Sequence, residues 1–340
     1  MSAKLRLILL LSIPLTILIV SFFVDDKEIN MKGRFLSPLG SLYKIELHKD
    51  QLEAASLSKT EKKFIKKKFR RKSEILLNSE QIDKKSGTIN TLIDKGVIHK
   101  EHYSYHLFGT DNMGRDLLEM LTLATKHNLS LSIIAVLVSI SMGTFLGILQ
   151  GYILNRDTSP YYLKIRKAIS FIIDSITSIP MLVWMLIIVL FNELILDIQD
   201  DFLKTMWTFI FMGIFYYSSI LSQAIEEHIQ SIKELEFLAS SELMGLSKIK
   251  IIYHHIIRTN LGDLLFSQSL MIIIQTIMLE ITISFGYIDF GLSHVVSYGT
   301  LANQMFQNPQ SVNMMIPIIF AGILCGLLNW INSAYKAVKA

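Results

Sequence analysis

The feature that most constrains this chain is a set of long apolar runs, interrupted by one strongly charged segment. Residues 25–106 carry 18 Lys or Arg and 12 Asp or Glu in 82 positions. The other 258 positions carry only 15 basic and 17 acidic residues. Soluble globular chains have about 25% charged residues, roughly twice the share found in this remainder. Long runs with so few charges indicate membrane spans, which excludes an ordinary soluble enzyme.

The cysteine count and the net charge exclude two further classes. Cys325 is the single cysteine, so the chain has no disulfide scaffold of its own. The formal net charge of +4 does not indicate a nucleic-acid binder, because the basic excess is confined to the segment 25–106.

Six runs are long enough for a helix that crosses the hydrocarbon core, which takes about 20 residues. They are residues 7–24, 129–154, 168–196, 205–224, 264–288 and 314–334. The first run ends without a small-residue cleavage site, so we expect residues 1–24 to be a retained membrane anchor rather than a signal peptide.

Two local patterns predict how these helices pack and bend. Gly143, Gly147 and Gly151 recur at a spacing of four, which lets helix backbones approach closely in lipid. Pro180 lies inside the third run and removes a backbone donor, so it predicts a kink.

Basic residues predict that both termini are cytoplasmic. Lys and Arg cluster at the N-terminus, after the second run, after the fourth run and at the C-terminus, which six spans place on one side. The basic run 59–72 would then lie on the outer side of the membrane. The preference of basic residues for the cytoplasmic side is weak in long loops, and this run lies in one. An extra half-span that leaves this run inside is the alternative.

The charged segment 25–105 is expected to form an extracytoplasmic insert between the first two spans. The pattern of Phe64, Ile65, Phe69, Ile75 and Leu76 predicts a helix over 52–77, and Gly87–Asp94 resembles a turn. His99, His102 and His106 would share one face of a helix, but no nearby cysteine supports a metal site.

A signature follows the insert. Residues 106–116 read HLFGTDNMGRD, which resembles the H-P-L-G-T-D-x-x-G-R-D signature of one permease subunit of ABC importers for dipeptides, oligopeptides and nickel. Gly109 and Gly114 permit tight turns, Asp111 can cap the next helix, and Arg115 and Asp116 can pair or cap. The signature residues are His106, Gly109, Thr110, Asp111, Gly114, Arg115 and Asp116.

A second stretch resembles the cytoplasmic coupling loop of the same family. Residues 236–259 read EFLASSELMGLSKIKIIYHHIIRT. Gly245 fits the end of a short helix, and Ser247 can cap the next one. The resemblance implies that this loop docks on an ATPase subunit, through Glu236, Ala239, Ser240, Gly245 and Ser247.

The resemblance covers about residues 106–335. It includes GILQGY at 147–152, DSITSIP at 174–180, Leu279-Glu280 and Tyr298-Gly299. Leu107 and Arg258 stand where the family pattern has proline, so the geometry of the signature turn and coupling loop departs from that pattern.

The chain lacks the motifs of catalysis and of ATP binding. No G-x-x-x-x-G-K-[ST], H-E-x-x-H, G-x-S-x-G or C-x-x-C occurs. We therefore expect no enzyme activity, no catalytic or metal-binding residue and no cofactor in this chain, with ATP and Mg²⁺ bound by partner ATPase subunits.

Two ionisable residues lie within the apolar runs. Asp174 and Glu280 are costly there, so they line a transport path or hydrogen-bond between helices. Neutral replacement distinguishes the two roles, because only a path residue would lose transport while the complex stays intact.

These observations predict an all-α membrane protein with six transmembrane helices and a large insert between helices 1 and 2. The expected domains are the anchor 1–24, the insert 25–105 and the permease domain 106–340. The family resemblance implies an importer subunit in the bacterial inner membrane, acting on peptides or a related solute such as nickel. Its implied partners are a second permease, two ABC ATPases, an extracytoplasmic solute-binding protein and membrane lipids, without nucleic acid. An ion-coupled secondary transporter and a membrane-anchored interaction protein are the alternatives.

Overall fold

The computed structural model describes most of the chain in separate segments. These are residues 40–48, 57–69, 74–78, 81–82, 84–110, 115–154, 159–195, 201–233, 246–285, 296–306 and 315–339. They divide into two compact units, one within 124–300 and 321–339 and the other within 40–123 and 301–320. The predicted anchor 1–24 lies outside the described residues.

The insert forms a small α/β structure in the second unit. Strands β1 (Gly40–Leu47), β2 (Glu74–Asn78) and β3 (Ile98–His106) form an antiparallel sheet in the order β2-β1-β3. Helices α1 (Lys59–Lys68) and α2 (Ser86–Asp94) complete it. Its core is built from buried side chains of all five elements, including Ile45, Phe64, Ile75, Ile89 and Ile98.

The sequence predictions for the insert were partly wrong. Of the helix predicted over 52–77, residues Lys59–Lys68 form α1, whereas residues 74–78 pair with β1 instead. The predicted turn Gly87–Asp94 lies in α2. His99, His102 and His106 lie on β3, where side chains alternate between faces, so no helix aligns them.

A buried carboxylate joins the two helices of the insert. Glu61 and Ser58 form a reciprocal cap at the start of α1: Ser58 N donates to Glu61 Oε2 at 2.7 Å and Glu61 N to Ser58 Oγ at 3.3 Å. Lys95, just after α2, donates to both Glu61 oxygens at 2.9 and 3.0 Å. The hydrogen bonds from Lys95 and Ser58 lower the pKa of Glu61 to about 2.

We predict that Glu61→Gln loosens the insert at pH 7. Because the folded pKa is depressed, the carboxylate stabilises the fold above about pH 4.5, and this contribution disappears as the pH falls towards 2. Hydrogen exchange of α2 and β3 amides in the full chain should be faster in the variant at pH 7, with the difference shrinking below pH 4.5. Asp94→Asn, at an exposed site on α2, is the control. A difference that persists unchanged at pH 2 would contradict the assignment.

The remaining elements are helical, and several contain π-helical turns. Helix α3 (Leu117–Ile148) continues as the π-helix Leu149–Ile153, and α4 (Pro160–Ser178) is followed by α5 (Met181–Leu194). Helices α6 (Asp201–Met212) and α7 (Ser218–Lys233) flank the π-helix Gly213–Tyr217. A short helix Lys248–Lys250 and the π-helix Ile251–Leu261 lead into α8 (Gly262–Phe285). Helices α9 (Tyr298–Phe306) and α10 (Ile316–Lys339) follow.

Within the described residues, four helical segments are long and apolar enough to cross a membrane. They are Leu117–Ile153, Leu203–Ile232, Ile251–Ser284 and Ile316–Ala337, and α4 with α5 would make a fifth if the bent pair is one span. These segments overlap the second, fourth, fifth and sixth predicted runs. The membrane part is therefore helical, as predicted, while the six-span count stays a prediction.

The third predicted run is broken at Pro180. Helix α4 ends at Ser178, Ile179 is extended, and α5 begins at Met181 with its axis bent by 94°. The missing N–H of proline accounts for the break. Trp184 Nε1 donates to Ile176 O at 2.8 Å across it, so one freed carbonyl keeps a partner. The predicted kink is confirmed, and it is sharper than a bend within one helix.

The glycines of α3 and its continuation pack directly on α7. A Cβ at Gly143 would lie 2.9 Å from Leu221 Cβ, and one at Gly147 only 2.7 Å from Ile225 Cβ. A Cβ at Gly151 would lie 3.1 Å from Ile229 Cβ. The close approach predicted from the glycine spacing is confirmed. The side chains that the three glycines contact lie four residues apart along α7.

We predict that Gly147→Ala destabilises the protein by about 1–3 kcal/mol, because the added methyl overlaps Ile225 in a packed seam. Thermal unfolding of the purified protein in detergent measures the effect. Gly322→Ala is the matched control, since a Cβ there meets nothing within 4 Å. Equal midpoints for the two variants would contradict the close packing.

Candidate functional site

Glu280 is the centre of a buried polar cluster in the membrane part. It lies on α8 and is only 3% exposed. Its Oε2 accepts from Asn128 Nδ2 at 3.0 Å and from Gly299 N at 3.2 Å. Its Oε1 accepts from Ser297 Oγ at 2.6 Å and from Ser284 Oγ at 2.8 Å. Four donors therefore satisfy both oxygens, which is what a buried carboxyl group requires.

The same cluster brings three segments together. Asn128 belongs to α3, Ser284 to α8, and Ser297 and Gly299 to the start of α9. A Cβ at Gly299 would lie 2.5 Å from Ser284 Cβ and 3.0 Å from Glu280 O, so only glycine lets α9 approach α8 this closely. Nearby, the hydroxyl groups of Tyr298 and Thr125 share a hydrogen bond that again joins α9 to α3.

Sequence reasoning identified Glu280, Tyr298 and Gly299 but missed Asn128 and Ser297. Asn128 is 2% exposed and Ser297 is 1% exposed. An asparagine at the start of an apolar run is a weak signal by itself, and the partner 152 positions away in sequence becomes visible only in the fold.

Asp174 has a different environment. It is exposed near the end of α4, and its Oδ1 accepts from Gln223 Nε2 of α7 at 2.9 Å. The structure does not bring Asp174 into the Glu280 cluster. On the same pair of helices, Arg166 of α4 and Glu226 of α7 form an ion pair at 2.7 Å. Asp174 therefore remains the better candidate of the two for contact with solvent or solute.

The signature turn is partly described. Gly109 has a φ of 81°, which explains why glycine is required there. Leu117 N donates to Gly109 O at 3.0 Å, and Thr110 pairs with Asp116. Asp116 Oδ1 accepts from Leu118 N at 2.8 Å and so caps α3, a role that the sequence left open between capping and pairing. His106 ends β3 and Arg115 is half-buried, whereas Asp111 and Gly114 lie outside the described residues.

Most of the predicted coupling loop also lies outside the described residues, including Glu236, Ala239, Ser240 and Gly245. Ser247 is described: its Oγ accepts from Lys250 N at 3.4 Å, which is the cap expected from the sequence. The helix that starts there passes through the π-helix Ile251–Leu261 into α8, which carries Glu280. Glu280 thus lies on a continuous helical segment that begins directly after Ser247.

In the described part of the chain, no group of three or more His, Cys, Asp or Glu side chains is placed to hold a metal ion.

Comparison with protein families identifies the membrane part. Residues 143–334 match the model of the binding-protein-dependent transport system inner membrane component. This match covers more than half of the chain. The chain belongs to this family. It is therefore a transmembrane permease subunit of an ABC importer, and the family is one of transporters rather than enzymes.

Curated relatives are peptide permeases. The chain is 25% identical over 209 residues to the oligopeptide transport system permease protein OppC of Lactococcus lactis subsp. lactis, covering 61% of this chain and 64% of that protein. It is 26% identical over 234 residues to the dipeptide transport system permease protein DppC of Lactococcus lactis subsp. cremoris, covering 68% and 61%. The chain thus spans somewhat less than two thirds of the length of these relatives.

A solved structure is also similar at low identity. The MetNI methionine ABC transporter in an inward-facing conformation matches with a TM-score of 0.49 and 14% identity, over 64% of this chain and 96% of that chain.

For this permease we predict that Glu280→Gln keeps an assembled, active protein, whereas Glu280→Leu does not. An amide can place its oxygen towards Asn128 and Gly299 and its NH₂ towards the two serine hydroxyls. Leucine leaves the buried Asn128 and Gly299 donors unpaired, at about 1–3 kcal/mol each. Thermal unfolding and uptake of each variant provide the measurement. Loss of uptake in Glu280→Gln, with an intact complex, would contradict the structural role and indicate a path residue.

Proposed function

We propose that this permease imports peptides by an ATP-driven mechanism, with residues 106–340 as the permease domain. The observation that carries the proposal is the family match over 143–334, combined with curated relatives named as oligopeptide and dipeptide permeases. The family resemblance also allowed nickel, but the two relatives described above are named for oligopeptide and dipeptide transport.

The proposed assembly contains four further subunits. A second permease completes the path, two ABC ATPases bind ATP and Mg²⁺ on the cytoplasmic side, and a solute-binding protein delivers the peptide from outside. Residues 1–24 anchor the chain in the bacterial inner membrane, 25–105 form an extracytoplasmic insert, and both termini are cytoplasmic. The folded core of the insert supports its treatment as a separate unit.

The proposed mechanism is alternating access driven from the coupling loop. ATP binding closes the ATPases and moves the loop around Gly245. Because the helix from Ser247 runs without a described break into α8, movement of the loop would be transmitted along α8 towards Glu280. The transport path between the two permease subunits then opens to the outside, and ATP hydrolysis returns the transporter to the inward-facing state.

The experiment is purification from native membranes in mild detergent, with mass spectrometry of the co-purifying proteins and uptake by reconstituted vesicles. Two ATPases, a second permease and ATP-dependent peptide uptake support the proposal. Recovery of the chain alone, with uptake that follows a proton gradient, would favour the secondary transporter. If the insert binds a target protein and no transport is detected, the chain is better explained as a membrane-anchored interaction protein. Uptake of nickel but not of peptide would contradict the proposal that the cargo is a peptide.

We predict that Gly245→Val abolishes most ATP-driven uptake while ATP binding by the complex is retained, because a β-branched residue resists the left-handed backbone that the sequence predicts at this position. Gly326→Val is the control, since a Cβ there meets nothing within 4 Å. Normal uptake by Gly245→Val would contradict the assignment of the coupling loop.

A further inference from the structure

A polar cleft of about 350 Å³ lies among α7, α8, α10 and the π-helix Gly213–Tyr217. Ligand pockets in proteins occupy about 300–1,000 Å³, so this volume is sufficient for a small solute or for one end of a larger one. All of its lining residues belong to the first compact unit. It is separate from the Glu280 cluster, whose residues do not line it.

The polar side of the cleft is formed by two helical stripes. Helix α8 contributes Gln268 and Gln275, which are seven residues apart and therefore on one face. Helix α10 contributes residues at i, i+3, i+4 and i+7, which also form one stripe. They are Asn329, Asn332, Ser333 and Lys336.

These stripes lie within segments apolar enough to span a membrane. Polar side chains at such positions are costly and mark pathways or inter-helix contacts. Asn332 is 5% exposed, and its Oδ1 has no hydrogen-bond donor within the described part of the chain. A buried acceptor without a donor costs about 1–3 kcal/mol, so packing between α8 and α10 does not account for this asparagine.

The chemistry of the lining fits a peptide main chain. A side-chain amide both donates and accepts, so it can bind the N–H and C=O groups that every peptide has, whatever its side chains. The lining also includes apolar side chains, Ile220 and Leu221 of α7 and Met271 and Ile272 of α8, and methionine adapts to varied side chains.

The charge of the lining residues distinguishes one end of the cleft from the other. Lys336 is the single cation among the lining residues, and no carboxylate lines the cleft. It lies on α10 next to Tyr335, whose hydroxyl donates to Asp263 Oδ1 of α8 at 2.6 Å. With one cation and no carboxylate among its lining residues, the end of the cleft at Lys336 suits an anionic group.

We infer that this cleft binds the main chain of the imported peptide, with the side-chain amides of α8 and α10 on its N–H and C=O groups and the Lys336 ammonium on its terminal carboxylate. The inference rests on the proposed import of peptides and specifies where in this subunit the peptide lies during passage.

The test uses the complete transporter in proteoliposomes, with its own binding protein and radiolabelled tri-alanine. Lys336→Gln should lower kcat/KM for uptake about tenfold, and Lys336→Arg should retain most of it because the charge is conserved. Lys167→Gln, at an exposed basic position outside the cleft, is the charge control. The same binding protein serves all preparations, so a difference among them arises in the permease. Thermal unfolding of each complex shows whether assembly is preserved.

A second measurement does not depend on uptake. Maleimide labelling of Asn329→Cys, in a Cys325→Ala background, should be slowed at least several-fold more by tri-alanine than by tri-alanine amide, and Lys336→Gln should remove this preference. If the wild-type protein imports the peptide and Lys336→Gln imports it equally well, the peptide site is wrong while the proposed function stands. Equal protection of Asn329→Cys by the two peptides would lead to the same conclusion. Wild-type vesicles that import no peptide would overturn the proposed function itself.

Discussion

The carboxyl group of Glu280 places a strict requirement on the membrane part of this permease. Lipid offers no water to a buried polar group, so each carboxyl oxygen needs donors from the protein. Asn128, Ser284, Ser297 and Gly299 supply them, and they come from three segments that are far apart in sequence. Satisfying one side chain therefore fixes where α9 lies against α8 and α3.

Close backbone packing acts together with this polar cluster. Apolar side chains gain little free energy when they exchange contacts with lipid for contacts with another helix. Helices in a membrane therefore associate through close packing and hydrogen bonds. The span that begins as α3 uses both devices: Asn128 binds Glu280, and Gly143, Gly147 and Gly151 let it approach α7. The polar stripes of α8 and α10 line a common cleft in the same compact unit.

Helix α8 connects the features to which we assign roles in the proposed mechanism. It continues from the helix capped by Ser247, contributes Gln268 and Gln275 to the cleft, and ends near Glu280. A π-helical stretch precedes it, and such irregular turns are frequent at functional positions. A single element thus runs from the proposed ATPase contact past the proposed peptide site to the buried cluster.

The sequence by itself determined the class of protein, the positions of the main spans, the break at Pro180 and the close-packing glycines. These follow from apolar length, a missing N–H and residue spacing, which are local properties. It also singled out Glu280 through a short family motif. Only the tertiary structure decided that Asn128 and Ser297 bind Glu280, that Gly147 faces Ile225, and that residues 74–78 join a sheet instead of extending a helix. Those outcomes depend on partners far away in sequence, and no local pattern specifies which distant donor, side chain or strand edge will be adjacent.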